Sequence, residues 1–128
     1  MIADFAATRQ NPTPMNRALD IALIGCGRRM QRTYFPVLPK LGNWIRVVAV
    51  CDPQADNRAA AAAHFGAPAF DSLRALLRAK PMAAALVATP PSSHHAVSCL
   101  LSAHGVHHLV ETPMCDTLQQ ARDMVAQA

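Results

Sequence analysis

The fold this sequence predicts is a doubly wound α/β domain: a parallel sheet of five strands in the order 3-2-1-4-5, with helices on both faces. Three observations lead there. Apolar runs of strand length alternate with helix-like segments five times from Leu19 onward. The first run, Ile21-Ala-Leu-Ile, stops at Gly25, and a second glycine follows at Gly27. The second run, Val47-Val-Ala-Val-Cys, ends in Asp52. Glycines at a strand-to-helix turn, with a carboxylate roughly 20 residues beyond them, have the spacing of a dinucleotide-binding unit.

Each element can be justified in turn. Residues 1–17 hold Asn11, Pro12, Thr13 and Pro14 among small and polar neighbours, show no sustained period and read as a flexible leader to a single domain over 18–128. Folding begins near Leu19. After the glycine loop, Tyr34, Val37, Leu38 and Leu41 recur at helical spacing, which predicts a helix over Met30–Leu41. Pro36 and Pro39 each remove a donor and crowd the preceding turn, so that helix should kink or end early. The second strand spans Arg46–Cys51, and Pro53 suits the first turn of a helix running through the alanine block to Phe65, where Gly66 stops it. A brief third strand at Pro68–Phe70 leads to Asp71 as N-cap of a helix over Ser72–Ala79. Met82–Ala88 is the fourth strand, followed by a helix over Ser93–His104 closed by Gly105. The fifth strand is Val106–Val110. Asp116 or Thr117 then caps the last helix, with Gln119 or Gln120 placed to complete a capping box.

In such a sheet the ligand crevice lies between strands 1 and 4, at their C-terminal ends. Gly25–Arg29, Asp52, Thr89–His94 and Glu111 converge there. Gly25 permits the tight turn, and Gly27 lets a pyrophosphate approach the backbone at a helix start. Met30 occupies the place of the third glycine of the pattern, where a long side chain is not expected. Asp52 would accept hydrogen bonds from the adenosine ribose and repel a 2′-phosphate, which favours NAD over NADP; Arg28, Arg29 and Arg58 soften that preference and leave NADP possible.

Composition narrows the partners. The 128 residues are 52% apolar and only 5% aromatic, with alanine making up much of the difference, as in helices laid closely on a sheet. The net charge of +4 comes from scattered arginines without a basic run or interleaved aromatics, which argues against nucleic acid. Cys26, Cys51, Cys99 and Cys115 show no C-x-x-C spacing and nothing at the N-terminus resembles a signal peptide, so a reducing cytoplasm is the expected compartment. No apolar stretch approaches a membrane span. His94 and His95 begin a helix, whereas His107 and His108 fall on opposite faces of a strand; only His95 and Cys99 share helical spacing, so no metal site is expected.

The second half carries a more particular signature: Ala88-Thr-Pro-Pro-Ser-Ser-His94, then Ala103-His-Gly-Val-His-His-Leu-Val-Glu-Thr-Pro113. Together with the glycine loop, these resemble the N-terminal domain of the Gfo/Idh/MocA family of oxidoreductases. The resemblance implies an enzyme domain that uses NAD or NADP, commonly on sugars, cyclitols or related polyols and carbonyl compounds. It implies that Gly25 and Gly27 hold pyrophosphate, that Thr89, Pro90 and His94 line the cofactor cleft, and that Glu111 and Pro113 lie beside the nicotinamide. His94 is thereby a candidate general acid or nicotinamide contact. The family's lysine between Glu and Pro is replaced by Thr112, which supplies no cation and no useful acid or base. The sixth strand and the C-terminal substrate domain of the family are not in this sequence. An open sheet edge would then invite a protein partner or self-association. Two main readings follow: a cofactor domain whose catalysis is completed by a domain outside this chain, and a catalytically degenerate short relative that serves as a binding or partner module. A complete small reductase acting as an oligomer is a third.

Overall fold

The computed structural model describes residues 17–79 and 82–128; apart from Arg17, the leader reading lies outside the described residues. Five parallel strands form one sheet: β1 Leu19–Ile24, β2 Ile45–Cys51, β3 Ala69–Phe70, β4 Ala84–Val87 and β5 His107–Val110. Their order is β3-β2-β1-β4-β5, as the alternation predicts. Crossovers between them are made by α1 Ala55–Phe65, α2 Leu73–Ala79 and α3 Pro91–Ala103, and α4 Leu118–Gln127 packs against α3.

Strand side chains alternate between two apolar layers. Ala22, Ile24, Ala49, Cys51, Ala85 and Val87 pack with Leu76, Leu77 and Leu101 of α2 and α3. Ile21, Leu23, Val50 and Leu86 pack on the other face with Met30, Phe35, Leu38 and Ala61. Both faces are covered, which is why the strands read as nearly continuous apolar runs.

Local chemistry moved several boundaries. The helix expected over Met30–Leu41 is instead a π-type turn, Met30–Tyr34, and a 3-10 turn, Leu38–Leu41. Phe35 N–H reaches back five residues to the Met30 carbonyl at 3.1 Å, and Pro36 has no N–H with which to continue. Pro53 does not open α1. It precedes the N-cap Gln54, whose N–H is drawn 2.8 Å from Asp52 Oδ1, a local turn that postpones the helix. At α2 the hydroxyl that accepts from Ala75 N–H belongs to Ser72, at 3.3 Å, so Ser72 rather than Asp71 makes the cap. α3 starts at Pro91, two residues ahead of Ser93, because proline lacks a donor that the first turn leaves unpaired in any case. Gly66 closes α1 at φ 61°, and Thr117 Oγ1 accepts from Gln120 N–H while Gln120 Oε1 accepts from Asp116 N–H.

Candidate functional site

Register assembles the site. Ile24 pairs with Cys51 on one side and Val87 on the other, and Val87 pairs with Val110, so four strands end in one row. The residues that follow them, Gly25, Asp52, Ala88 and Glu111, therefore emerge side by side. They line a cavity of about 770 Å³ that also takes in Gly27, Arg28, Arg29, Thr89, Pro90, His94 and Thr112. Pro113 stands outside this lining, as do Met30 and Arg58.

The two glycines have different tasks. Gly25 sits at φ +82°, and a Cβ there would lie 2.6 Å from Thr89 N and 2.7 Å from the Ala88 carbonyl carbon. It is glycine both for the turn and because the loop crosses the end of β4 at contact distance. A Cβ on Gly27 would meet nothing nearer than Asn57 Nδ2 at 3.7 Å, so the space above it belongs to the cavity. Arg28 and Arg29 are already helical and exposed. Met30, at the place of the third glycine, is fully buried among Leu23, Cys26 and Phe35, and its side chain fills core rather than crevice.

Asp52 is only 6% exposed and works as a fastener. Its Oδ2 accepts from Cys26 N–H at 2.8 Å, which ties the glycine loop to the end of β2, and Oδ1 accepts from Gln54 N–H. Asn57 Nδ2 approaches Oδ2 at 3.4 Å. Arg58 donates to the carbonyls of Asp52 and Pro53 at 3.0 and 2.8 Å, holding the same turn from outside. Burial pushes the Cys26 thiol up to about 12 and the Cys51 thiol to about 11, so these cysteines serve packing.

His94 is 1% exposed. Its Nδ1 lies 2.8 Å from the Pro113 carbonyl and its Nε2 2.8 Å from the Thr89 carbonyl. The imidazole stands between these two backbone carbonyls, where the loop after β4 meets the loop after β5, and this contact is where Pro113 enters. Ser93 Oγ sits 2.7 Å from Thr89 Oγ1 and 2.8 Å from the Pro90 carbonyl, tightening the same loop. Glu111 accepts from the Tyr34 phenol through Oε1 and from Thr112 N–H, at 3.1 Å, through Oε2. The Tyr34 hydrogen bond is the largest cause holding the Glu111 carboxyl below its usual range.

Several lining residues escaped the sequence reading. Gln54 and Asn57 follow Asp52 within one turn and were findable as polar neighbours of a candidate carboxylate. Asp71 and Ser72 reach the cavity only because the two-residue β3 pairs beside β2, and Tyr34 reaches Glu111 from 77 positions away. Among the described residues no group of three or more His, Cys, Asp or Glu is placed to hold a metal ion, and no helix is long and apolar enough to cross a membrane. His108, on the inner face of β5, is hydrogen-bonded to Ser98 and Val106, while His107 is exposed.

Residues 19–128 match the Gfo/Idh/MocA family, an oxidoreductase family with an NAD-binding Rossmann fold. The oxidoreductase-named YceM protein of Salmonella typhimurium is 31% identical over 112 residues, which are 88% of this chain and 36% of that protein. The WlbA dehydrogenase of Chromobacterium violaceum, solved in complex with NADH and UDP-GlcNAcA, superimposes with a TM-score of 0.84 at 29% identity over 90% of this chain and 33% of its own. The Bordetella pertussis WlbA dehydrogenase, in complex with the same two molecules, gives 0.82 at 28% identity over 87% and 34%. This chain spans about a third of the length of these relatives.

Proposed function

The chain belongs to the Gfo/Idh/MocA oxidoreductase family, and from that premise we propose that it holds NAD for hydride exchange with a sugar, cyclitol or related polyol or carbonyl compound, in a site completed by a substrate domain outside residues 1–128. One observation carries the reading: the cavity of about 770 Å³ runs over the ends of β2, β1, β4 and β5 and has the glycine loop in the middle of its floor. The group fits what is there. Open space above Gly27 and the helical start at Arg28 suit a pyrophosphate. Asp52, Gln54 and Asn57 at one end suit the adenosine ribose, and the loop at Thr89, Pro90 and Glu111 suits the nicotinamide half. When bound, the nicotinamide ring supplies or accepts the hydride.

Thr112 supports the need for further protein. It is exposed at the cavity wall and has no group able to move a proton near neutral pH, so proton transfer must come from elsewhere. The UDP-GlcNAcA held by both WlbA dehydrogenases favours the sugar class of substrate. Exposed Leu109 on the edge strand β5 leaves an apolar side chain on an open sheet edge, where a further domain, a protein partner or a second copy would pack. Four free cysteines are in keeping with a cytoplasmic setting.

The test is calorimetric titration of the folded chain with NAD and, separately, NADP. Saturable binding that is tighter for NAD is the expected result. A folded chain that binds neither would sink the cofactor reading and move the partner-module reading to the front.

A further inference from the structure

We propose that Tyr34 is a positioning residue for the nicotinamide half of the crevice: its phenol donates to Glu111 Oε1 and fixes the direction of that carboxylate in the cavity wall at the end of β5. The inference rests on the cofactor reading above and deepens it. Tyr34 lies in the π-type turn after β1, Glu111 directly follows β5, and β4 runs between those two strands. The contact therefore ties the turn after β1 to the lining residue that follows β5, two strands away across β4.

Both carboxylate oxygens are engaged, Oε1 by the phenol and Oε2 by Thr112 N–H at 3.1 Å. Each keeps a lone pair for a further donor such as a ribose hydroxyl. With threonine in place of the family's lysine, the groups that orient the carboxylate are a phenol and a backbone N–H, with the Arg29 charge and the His94 ring nearby. The widened turn presents the phenol. Its neighbours Met30 and Phe35 are buried in the core, while Tyr34 is only partly buried and reaches the lining residue Glu111. Desolvation, followed by the hydrogen bond to Glu111, pushes the Tyr34 phenol up to about 12, so it remains a donor throughout the neutral range and is no proton source for chemistry there.

The experiment titrates the unaltered chain, Tyr34→Phe, Glu111→Gln and the double variant with NAD and with ADP, which shares the adenosine and phosphate half but has no nicotinamide. Tyr34→Phe should bind NAD about fivefold more weakly and ADP within about twofold of the unaltered chain, the scale of one charge-assisted hydrogen bond acting through its partner. Glu111→Gln should show the same selectivity, and the double variant should bind NAD no more weakly than Glu111→Gln, because one residue acts through the other. The acid limb of NAD binding should also move to higher pH in Tyr34→Phe as Glu111 returns toward its ordinary range. Equal losses for NAD and ADP, additive losses in the double variant, or unchanged NAD affinity would each overturn the proposal. If the unaltered chain binds neither ligand, the cofactor reading fails and takes this one with it. If it binds both and Tyr34→Phe leaves their ratio unchanged, this inference fails alone.

Discussion

At Gly25 two demands coincide, a left-handed backbone and the absence of any atom between the loop and Thr89, while Gly27 answers to neither. Their alanine variants should therefore separate folding from binding. Gly25→Ala is expected to cost about 3 kcal/mol or more, because the clash is with backbone at the end of β4 and cannot be relieved by a side-chain shift. Gly27→Ala is expected to melt within a few degrees of the unaltered chain yet to lose NAD affinity, because its Cβ would project into the open space where the proposed reading puts the pyrophosphate. Thermal melts with and without NAD check both. Asp52→Ala removes the anchor of Cys26 N–H and, on the proposed cofactor reading, a ribose acceptor and a charge hostile to a 2′-phosphate. NAD affinity should fall more than NADP affinity, and equal losses in paired titrations would assign Asp52 to holding the loop alone. The carboxylate was legible in the sequence from its spacing. Its bond to Cys26 N–H was not, since that depends on β1 and β2 lying side by side.

Among the elements, those with a clear period and a clear stop were legible: Gly66 ends α1, and α4 opens at Thr117 with Gln120, one of the pairings the sequence left open. Thr117→Ala should lower stability by about 1 kcal/mol in a denaturant melt, the usual worth of an N-cap, whereas Asp116→Ala should change little because only its backbone N–H takes part. The segment after the glycine loop was read as one helix because Tyr34, Val37, Leu38 and Leu41 carry helical spacing. Pro36 and the i→i+5 bond of Phe35 decide otherwise. Caps shifted by a residue or two at Pro53, Ser72 and Pro91, where several short polar or proline residues compete and packing selects among them.

Over the whole molecule, ionisation sets two limits on stability. Asp20, hydrogen-bonded by Arg46 at 2.8 and 2.9 Å, and Glu111, held by Tyr34, titrate below their ordinary values of 3.8 and 4.5. Their contributions are present above those values and are lost as pH falls through the native ones. Cys26, Cys51 and Tyr34 titrate late, at about 12, 11 and 12 against ordinary values of 9, 9 and 10. Their contributions are complete below pH 9 and are lost as pH rises toward the native values, because the unfolded chain gives up these protons first. Melting temperature against pH should form a plateau with an acid and an alkaline shoulder. Substituting Tyr34 by Phe should soften the alkaline one, and an unchanged shoulder would deny the half-buried phenol its part. Fold class, strand order and the place of the glycine turn after β1 were legible from the sequence alone, because apolar period, turn chemistry and the hand of the crossovers follow from local chain chemistry. Only the tertiary structure decided that Met30 turns into the core, that His94 reaches the Pro113 carbonyl, and that Tyr34 meets Glu111. Each of those is a contact between segments distant in sequence, and it exists only once parallel pairing has brought the strand ends into one row.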